Sequence, residues 1–228
     1  MGDPVATRPS EPGITDAVLL CGGRGTRLGT ETEKPLVPVD GRPMVHRVLD
    51  AIARSRIRRV VAVSSPHTPS TTATMEELSA GELEPARLVS NVVVGSGEGY
   101  VDDLNRGLDA VDGPALTVTA DLPLLRTRDV ADVIEAAVGS DDDCGSAHTA
   151  NDRGLVDSVS ICVPVSLKRT LGASVDTSVT HDGNDVAPTG LNVVGSGEDT
   201  VVVRRSKSLA INVNRPRDLA LARRIASE

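Results

Sequence analysis

The chain has 228 residues, a formal net charge of −8 and a hydrophobic content of 39%, with no Phe or Trp and a single Tyr. This length suits one large domain or two small ones, and the core must be built from Val, Leu, Ile and Ala. The acidic balance and the lack of aromatic stacking platforms argue against nucleic acid as a partner. The apolar runs are far shorter than the about 20 residues that a membrane span needs.

The basic residues are mostly arginine, and this bias leads to a prediction about habitat. Of 24 basic side chains only three are lysines, at Lys34, Lys168 and Lys207. An acidic surface almost free of lysine is typical of a halophilic protein from a high-salt cytoplasm, where self-repulsion is screened. Ordinary solubility is an equally good interpretation of the net charge.

The cysteines and the start of the chain indicate a cytoplasmic location. Cys21, Cys144 and Cys162 are odd in number and widely spaced, which favours reduced thiols over disulfides or a zinc site. Residues 1–15 lack the apolar stretch of a signal peptide and are predicted to be a disordered tail. Residues 16–228 are then predicted to form one domain.

Short β-branched runs alternate with helical periodicity over the first 140 residues. The predicted strands cover 16–20, 58–65, 86–94 and 114–120. The predicted helices cover 43–55, 70–80, 98–111 and 127–138. Pro43 is expected at the first helical position, Ser70 at the start of the second helix and Thr127 as the N-cap of the fourth. This alternation predicts an α/β fold with a mostly parallel sheet flanked by helices.

The pattern changes after a polar, loop-like stretch at 141–154. The segments "VDSVSICVPV", "LNVV", "TVVV" and "LAINVN" are apolar, with less helix between them. They predict a small β elaboration in the second half, near residues 155–203. The closing "RPRDLALARRIA" predicts an amphipathic helix.

A glycine-rich loop follows the first strand and indicates an anion site. Gly22-Gly23-Arg24-Gly25-Thr26-Arg27-Leu28-Gly29 is followed by Glu33-Lys34-Pro35-Leu36. Free backbone N–H groups with arginine and lysine nearby suit a phosphate, although two glycines after a strand can also make a simple tight turn. The spacing does not fit a Walker loop. A dinucleotide fingerprint also fails, because Leu28 stands at the third glycine position and the second strand ends in Ser64-Ser65 rather than in an acid.

The combination GGxGTRLG with EKPL resembles the MobA-like and sugar-nucleotide nucleotidyltransferase superfamily. "SSPHTPSTTATM", "VVVGSGEGYVDDLN", "APTGLNVV" and "AINVNRPRDLALA" narrow the resemblance to the archaeal guanylyltransferases that act on adenosylcobinamide phosphate. The resemblance implies a Rossmann-like nucleotidyltransferase fold, with GTP and a corrinoid phosphate as substrates and Mg²⁺ as cofactor. The alternatives are the same chemistry on a molybdopterin or a sugar 1-phosphate, and a nucleotide-binding module without catalysis. A homodimer is one option for the oligomeric state.

Asp121 is the main candidate from the residues themselves, because it ends the fourth strand, where ligands of open α/β sheets bind. A carboxylate beside a triphosphate fits a Mg²⁺ ligand, although a turn acid is the simpler alternative. The resemblance implies this metal role for Asp121, with Asn214 as its partner and Asn212 as the second choice. It also implies that Lys34 holds the α-phosphate, with Arg27 beside it, so Arg27, Lys34 and Asp121 are the predicted catalytic residues.

Two further groups complete the predicted site. The nucleotide-binding residues are Gly22, Gly23, Gly25, Thr26, Arg27, Lys34, Ser65, Thr68, Gly95, Ser96 and Gly97. The acceptor-binding residues are Thr189, Gly190 and Asn192. Of Asp102 and Asp103, one is expected on a solvated helix face, and Asp218 is expected as a first-turn acid of the last helix. Arg24 and Tyr100 have no single interpretation, since solvent exposure, packing and ligand contact fit equally well.

Overall fold

The computed structural model of the protein describes residues 13–81, 88–139 and 155–228. Residues 1–12 of the predicted tail and the whole polar stretch at 141–154 therefore lie outside the described residues. Ile14 is fully buried, and the carbonyl of Thr15 accepts hydrogen bonds from the N–H groups of Arg58 and Arg59 at 2.7 and 3.2 Å. Residues 14 and 15 thus belong to the folded domain rather than to the predicted tail.

The described chain forms ten strands, six helices and a short 3₁₀ turn at Lys34–Leu36. The strands are β1 Asp16–Leu20, β2 Pro38–Val39, β3 Arg42–Pro43, β4 Arg59–Ser64, β5 Val89–Val94, β6 Ala115–Thr119, β7 Ser158–Pro164, β8 Val179–His181, β9 Asn184–Val194 and β10 Asp199–Val203. The helices are α1 Met44–Ala53, α2 Pro69–Ala80, α3 Tyr100–Leu108, α4 Thr127–Val138, α5 Val165–Leu171 and α6 Pro216–Ala226. None of these helices is long and apolar enough to cross a membrane.

Eight strands form one sheet in the order β10-β7-β9-β6-β1-β4-β5, with β8 paired to β9. The pairs β1/β4, β1/β6, β4/β5 and β7/β10 are parallel, whereas β9 runs antiparallel to β6, β7 and β8. The predicted mostly parallel sheet is confirmed. The predicted β structure in the second half is also present, and its strands β7, β9 and β10 extend this same sheet.

The core is aliphatic, as predicted. The largest fully buried side chains are Ile14, Leu19, Met44, Leu49, Ile52, Met75, Leu116, Leu122, Ile134, Ile161, Leu191 and Ile211. Helix α3 lies very close to the sheet, because a Cβ at Gly107 would stand 2.4 Å from Val18 and 2.8 Å from Val63. Any larger residue at Gly107 would push α3, and the residues at its start, away from the strand ends.

Three residues predicted at helix starts are each displaced by one position. Pro43 ends β3 and precedes α1, and α2 begins at Pro69 rather than Ser70, since proline suits the first turn of a helix. Thr127 is the first residue of α4 rather than its cap. The N–H of Arg126 donates to the Asp129 carboxylate at 2.9 Å, so an acid three residues into the helix satisfies the cap.

Two segments of the second half also differ from the prediction. "LAINVN" at 209–214 forms no strand, and its apolar residues are instead buried against neighbouring elements. Helix α5 was missed because the β-branched Val163 and Val165 favour a strand, whereas Pro164 between them in fact ends β7 and directly precedes the helix.

The carboxyl ends of the parallel strands meet at one edge of the sheet. β1 runs into the glycine-rich loop, β4 into Ser65, β5 into the Gly95–Gly97 turn and β6 into Asp121. The fold thereby brings together residues from four distant segments of the sequence, as expected for ligand sites in open α/β sheets.

Candidate active site at the carboxyl edge of the sheet

The glycine-rich loop folds back over Lys34. Gly25 has φ +68°, and a Cβ on it would stand 2.7 Å from the Cβ of Lys34. The N–H of Leu28 closes a turn onto the carbonyl of Gly25 at 2.8 Å. Glycine is required at position 25 both by its positive φ and by this close approach.

Lys34 joins the two residues for which the sequence predicted a metal role. Its Nζ donates to Asp121 Oδ2 and to Asn214 Oδ1, both at 2.6 Å. The side chains are largely enclosed, with 12% of Lys34 and 16% of Asp121 exposed. Three residues from the loop, the end of β6 and the start of α6 thus converge on one point.

Asp121 is held in place from its other side. Its Oδ1 accepts hydrogen bonds from Thr119 Oγ1 at 2.7 Å and from Asn212 Nδ2 at 3.3 Å. Burial raises the pKa of the Asp121 carboxyl, but the Lys34 ammonium and these hydrogen bonds outweigh burial and hold the pKa below its ordinary value. Asp121 is therefore a carboxylate at neutral pH.

Asn212 serves as a support and not as the metal ligand that was the second choice. The Nζ of Lys168, a residue only 4% exposed, donates to Asn212 Oδ1 at 3.2 Å and to the carbonyl of Ala210 at 2.8 Å. Lys168 fixes the Asn212 amide with its NH₂ group toward Asp121 and toward the carbonyl of Thr189, which accepts at 2.7 Å. An NH₂ group cannot bind a cation, so Asn214 is the better oxygen ligand.

The start of α6 is organised by a buried carboxylate. Asp218 is fully buried, and it accepts hydrogen bonds from Ser174 N, Ser174 Oγ and Arg215 N at 2.8, 2.6 and 2.9 Å. It acts as a first-turn acid, as expected, and it also ties α6 to the chain after α5. Asn214 is positioned by this arrangement, since its N–H also donates to Asp218.

Arg27 lies at the margin of this cluster. Its side chain is 65% exposed and forms an ion pair with Asp176 at 3.4 Å. Asp176 also accepts a hydrogen bond from Arg215 at 2.9 Å. Thr26 beside it is exposed as well. These two side chains lie outside the cavity described below and would have to move to reach a phosphate within it.

Glu33 connects the loop to helix α2, a contact that no sequence pattern predicted. Its carboxylate accepts hydrogen bonds from Ser70 N, Thr71 N and Thr71 Oγ1 at 2.8, 2.7 and 2.6 Å. Partial burial raises the pKa of Glu33, but these bonds outweigh it and lower the pKa. The acid directly before Lys34 therefore caps α2 and restrains the backbone at Lys34.

The other end of the site lies at the ends of β4 and β5. Ser65 and Thr68 are both only 1% exposed, and Thr68 Oγ1 accepts from Ser65 N at 3.1 Å. Their hydroxyls therefore shape the turn after β4. Gly97, with φ +72°, brings the next turn against the ring of His67 and the hydroxyl of Ser65.

Asp102 is exposed and Asp103 is buried, so one of these two adjacent acids lies on a solvated helix face, as predicted. Asp103 is 8% exposed, and its Oδ1 accepts from Ser96 N, Ser96 Oγ and Gly97 N at 2.7, 3.2 and 3.3 Å. A Cβ at Gly95 would stand 2.2 Å from this oxygen. The turn formed by Gly95, Ser96 and Gly97 is thus built around a carboxylate. The only sequence signal for this arrangement was the position of Asp103, three residues after the first residue of α3.

The predicted acceptor residues have structural contacts. Thr189 is fully buried, and its hydroxyl donates to the carbonyl of Ile161 at 2.8 Å. Gly190 has φ +82°, and a Cβ there would stand 2.5 Å from Thr119 Oγ1, the donor to Asp121. Asn192 lies within β9 and reaches Thr117 at 3.5 Å. The Thr189 side chain is therefore not available to an acceptor, while Gly190 supports Asp121.

A cavity of about 260 Å³ joins the two ends of the site. Its lining comprises Leu20, Cys21, Gly22, Gly23, Arg24, Lys34, Pro35, Ser65, His67, Gly97, Gly99, Tyr100, Asp103, Thr119, Ala120 and Asp121. Arg24 and His67 contact each other at its rim. Tyr100 is 48% exposed, and its pKa is raised by partial burial and by the Asp121 carboxylate. Both Arg24 and Tyr100, left open by the sequence, therefore line the cavity.

Cys21 lies beneath the loop and has no chemical role that its surroundings would support. It is fully buried, and burial raises the pKa of its thiol to about 12. A thiol of this kind is a poor nucleophile.

The side-chain oxygens of Asp121, after β6, and Asn214, before α6, are of the type that Mg²⁺ takes as ligands in proteins. Asp121 and Asn214 already hold one cation, the Lys34 ammonium, between a carboxylate and an amide oxygen. Mg²⁺ takes one or two such protein ligands and completes its shell with phosphate and water. No group of three or more His, Cys, Asp or Glu side chains suited to a metal ion occurs within residues 13–81, 88–139 and 155–228.

Comparison with known proteins finds nucleotidyltransferases. A family model described as a MobA-like NTP transferase domain matches residues 17–186. The adenosylcobinamide-phosphate guanylyltransferase of Methanocaldococcus jannaschii is 28% identical over 91% of this chain and 95% of its own length. The 2-C-methyl-D-erythritol 4-phosphate cytidylyltransferase of Streptomyces avermitilis is 36% identical, but over only 57% of this chain and 52% of its own length.

Among solved structures, the 4-diphosphocytidyl-2C-methyl-D-erythritol synthase of Anaerococcus prevotii is similar in fold. It matches with a TM-score of 0.63 over 95% of this chain and 99% of its own, at 13% identity. At that identity the likeness extends to the fold alone, and it includes the strands of the second half.

Proposed function

The chain belongs to the MobA-like NTP transferase family and is a nucleotidyltransferase, and on that premise we propose that it transfers GMP from GTP to adenosylcobinamide phosphate. The observation that carries this choice is the extent of the match to the Methanocaldococcus jannaschii guanylyltransferase, which covers 91% of the chain. The cytidylyltransferase match, covering 57%, omits much of the chain.

The reaction requires little covalent chemistry from the protein. An oxygen of the acceptor's phosphate attacks the α-phosphorus of GTP, the bond from that phosphorus to the β-phosphate bridging oxygen breaks, and pyrophosphate leaves. A phosphate monoester has its second pKa near about 6, so it is already a dianion at neutral pH and needs no general base. The tasks that remain are positioning and charge neutralisation.

Lys34 supplies the charge for the α-phosphate. It is held at the cavity by Asp121 and Asn214, and its backbone is restrained by the neighbouring Glu33. Gly22 and Gly23 line the same cavity, and backbone N–H groups in such a glycine-rich loop suit phosphate oxygens. Arg27 would leave its ion pair with Asp176 to contribute further positive charge.

Asp121 and Asn214 would hold Mg²⁺ when it is bound. The ion supplies charge neutralisation at the phosphates and Lewis-acid polarisation of a phosphoryl oxygen. Lys34 occupies these two oxygens in the structure, so it must turn toward the nucleotide phosphates when the ion binds. Gly190 and Asn192 remain candidates for the acceptor side, because both lie on β9 beside the residues that support Asp121.

The test is turnover with defined substrates, measured as pyrophosphate release with Mg²⁺ at low and at molar KCl. GTP with adenosylcobinamide phosphate is expected to react, and GTP with a sugar 1-phosphate or with 2-C-methyl-D-erythritol 4-phosphate is not. Reaction of CTP with the erythritol phosphate would replace the proposal with cytidylyl transfer. Binding of GTP without turnover of any acceptor would favour a non-catalytic module, although the convergence of Lys34, Asp121 and Asn214 supports an enzyme.

A further inference from the structure

Asp103 is a carboxylate without a paired cation, buried at the end of the cavity next to the turns after β4 and β5. It is 8% exposed, and no lysine, arginine or histidine pairs with it among the described residues. Burying an unpaired carboxylate is costly unless donors compensate it. Here the donors are the N–H groups of Ser96 and Gly97 and the hydroxyl of Ser96.

All of these donors bind the same oxygen, Oδ1. Oδ2 receives no hydrogen bond from the described residues, and it is not among the buried polar atoms that lack a partner, so it is open to the cavity. A Cβ at Gly22 would stand 3.2 Å from Oδ2, which places this oxygen beside the first glycine of the nucleotide loop. The cavity therefore presents a fixed acceptor at this point.

The position of Asp103 suits contact with the nucleobase of the nucleotide rather than with a phosphate. Asp121 and Lys34 lie at the end of β6, whereas Asp103 lies against the turns after β4 and β5, and β1 separates the two groups. β6 and β4 are two strand spacings apart, or about 10 Å. Anionic phosphates belong near Lys34 and would be repelled by Asp103.

We propose that Asp103 selects guanine by accepting hydrogen bonds at Oδ2 from the N1–H and 2-amino groups of the base. Guanine carries these two donors side by side. Adenine presents a nitrogen lone pair at N1 and no donor at C2, and cytosine has a lone pair next to its single amino group, so both would be repelled. The inference rests on the proposed guanylyltransferase function and adds the residue that determines its base specificity.

The turn and the helix support this role. Gly95 leaves room for the carboxylate, since a Cβ there would meet Oδ1 at 2.2 Å, and Gly107 one helical turn further along α3 lets the helix approach the sheet. Asp103 cannot rotate without breaking three hydrogen bonds. A fixed acceptor of this kind discriminates well, because a wrong base leaves it unpaired.

The experiment measures binding of nucleotides to the full chain by calorimetry. Wild-type protein and the Asp103→Asn variant are titrated with GTP, ITP, XTP, ATP and CTP. Asn keeps an oxygen for Ser96 and Gly97 but turns an NH₂ group toward the base. Asp102→Asn is the matched control, because it removes the same charge from the exposed neighbour on the same helix.

We expect wild-type protein to bind GTP about 10-fold or more tightly than ITP, which lacks the 2-amino group. Asp103→Asn should weaken GTP binding about 10- to 100-fold. The variant should also lower the ratio of GTP to XTP affinity, because the 2-oxo group of xanthine accepts from the new NH₂ group. Asp102→Asn should leave all affinities within about twofold.

Three results would overturn the inference. Equal binding of GTP and ITP by the wild type would do so without any variant, even if Asp103→Asn failed to fold. An equal loss for GTP, ITP and XTP in Asp103→Asn would reduce Asp103 to a structural support, while the proposed function would stand. A wild-type preference for CTP or ATP over GTP would remove both the inference and the proposed function.

Discussion

Asp121 and Asp103 lie at opposite ends of one cavity, and their charges are balanced in different ways. The charge of Asp121 is balanced mainly by the ammonium of Lys34, a side chain that can rotate away. That of Asp103 is balanced by backbone and hydroxyl donors of the turn after β5. The first end can therefore exchange one cation for another when substrate and metal bind, whereas the second end is preorganised for a single pattern of donors.

The largest effect is expected from breaking the exchangeable end at its carboxylate. Asp121→Asn keeps the shape of the side chain but removes the charge that pairs Lys34 and would hold Mg²⁺. The rate of pyrophosphate release should fall about 1,000-fold. The control is Asp50→Asn. Asp50 is an acid of α1 that pairs with Arg42 of β3, and both residues lie outside the cavity. A loss below tenfold would exclude a metal role for Asp121.

Lys34→Met tests the cation at the same end. The rate should fall about 100-fold, and the free energy of unfolding at neutral pH should drop by about 1–3 kcal/mol, because Asp121 is left enclosed and unpaired. Lys207→Met is the control, since Lys207 is an exposed lysine. Retained activity would place the phosphate contact on another residue.

The same variant has a pH signature that only an enclosed pair would produce. In the wild type the lowered pKa of Asp121 contributes stability above the ordinary carboxyl value of 3.8, and this contribution is lost as the pH falls through the lowered pKa. Without Lys34, burial raises the pKa instead, so the variant is penalised at neutral pH and recovers in acid. The Tm difference between the two proteins should shrink between pH 7 and pH 4.5, and a constant difference would contradict the pairing.

Gly95→Ala breaks the preorganised end. A Cβ there would stand 2.2 Å from Asp103 Oδ1 and 2.9 Å from the carbonyl of Ser64, so the turn after β5 must shift. We expect a loss of about 1–3 kcal/mol in the free energy of unfolding, measured by urea denaturation. Gly99→Ala is the matched control, because no atom lies within 4 Å of a Cβ at that position. Equal stability of the two variants would mean that the turn is not tightly fitted to Asp103.

The smallest effect is expected at Glu33, which links the two ends through α2. Glu33→Gln should lower the free energy of unfolding by about 1 kcal/mol, the usual cost of a lost helix cap. Because the pKa of Glu33 is lowered, its contribution should be present at neutral pH and disappear in acid, where the wild type and the variant should converge. Glu31→Gln serves as the control, since Glu31 is exposed. A difference that persists in acid would argue against the cap.

The exchangeable end could be predicted from the sequence, and the preorganised end could not. Lys34 lies in a dense motif after β1, and Asp121 follows the neighbouring strand β6, so strand order brings these two together. Asn214 follows no strand, and only the family resemblance indicated it. Asp102 and Asp103 lie side by side in the first turn of α3, and no sequence pattern distinguishes them. Which of the two is buried depends on how α3 packs against the sheet. That packing depends on Gly107, whose contact with β1 and β4 is not visible in a local pattern.

The fold shows the same division. β1, β6 and α6 have apolar patterns of the right period, and the structure places them within a residue of the predicted bounds. The second half was harder, because β9 extends from Asn184 to Val194 through Pro188 and Gly190, residues that normally end a strand. Lys168 was likewise unremarkable in the sequence, and only its burial against Asn212 gives it a role.

The placement of β9 between β6 and β7 has a consequence for synthesis on the ribosome. Ala115 pairs with Val194, so the hydrogen-bonding edge of β6 stays open until the chain has been made almost to its end. Pairing across so long a separation is slow, and an open strand edge invites association between nascent chains. The half that carries the glycine-rich loop cannot complete its sheet alone, so truncations before residue 184 should yield aggregates rather than a smaller folded protein.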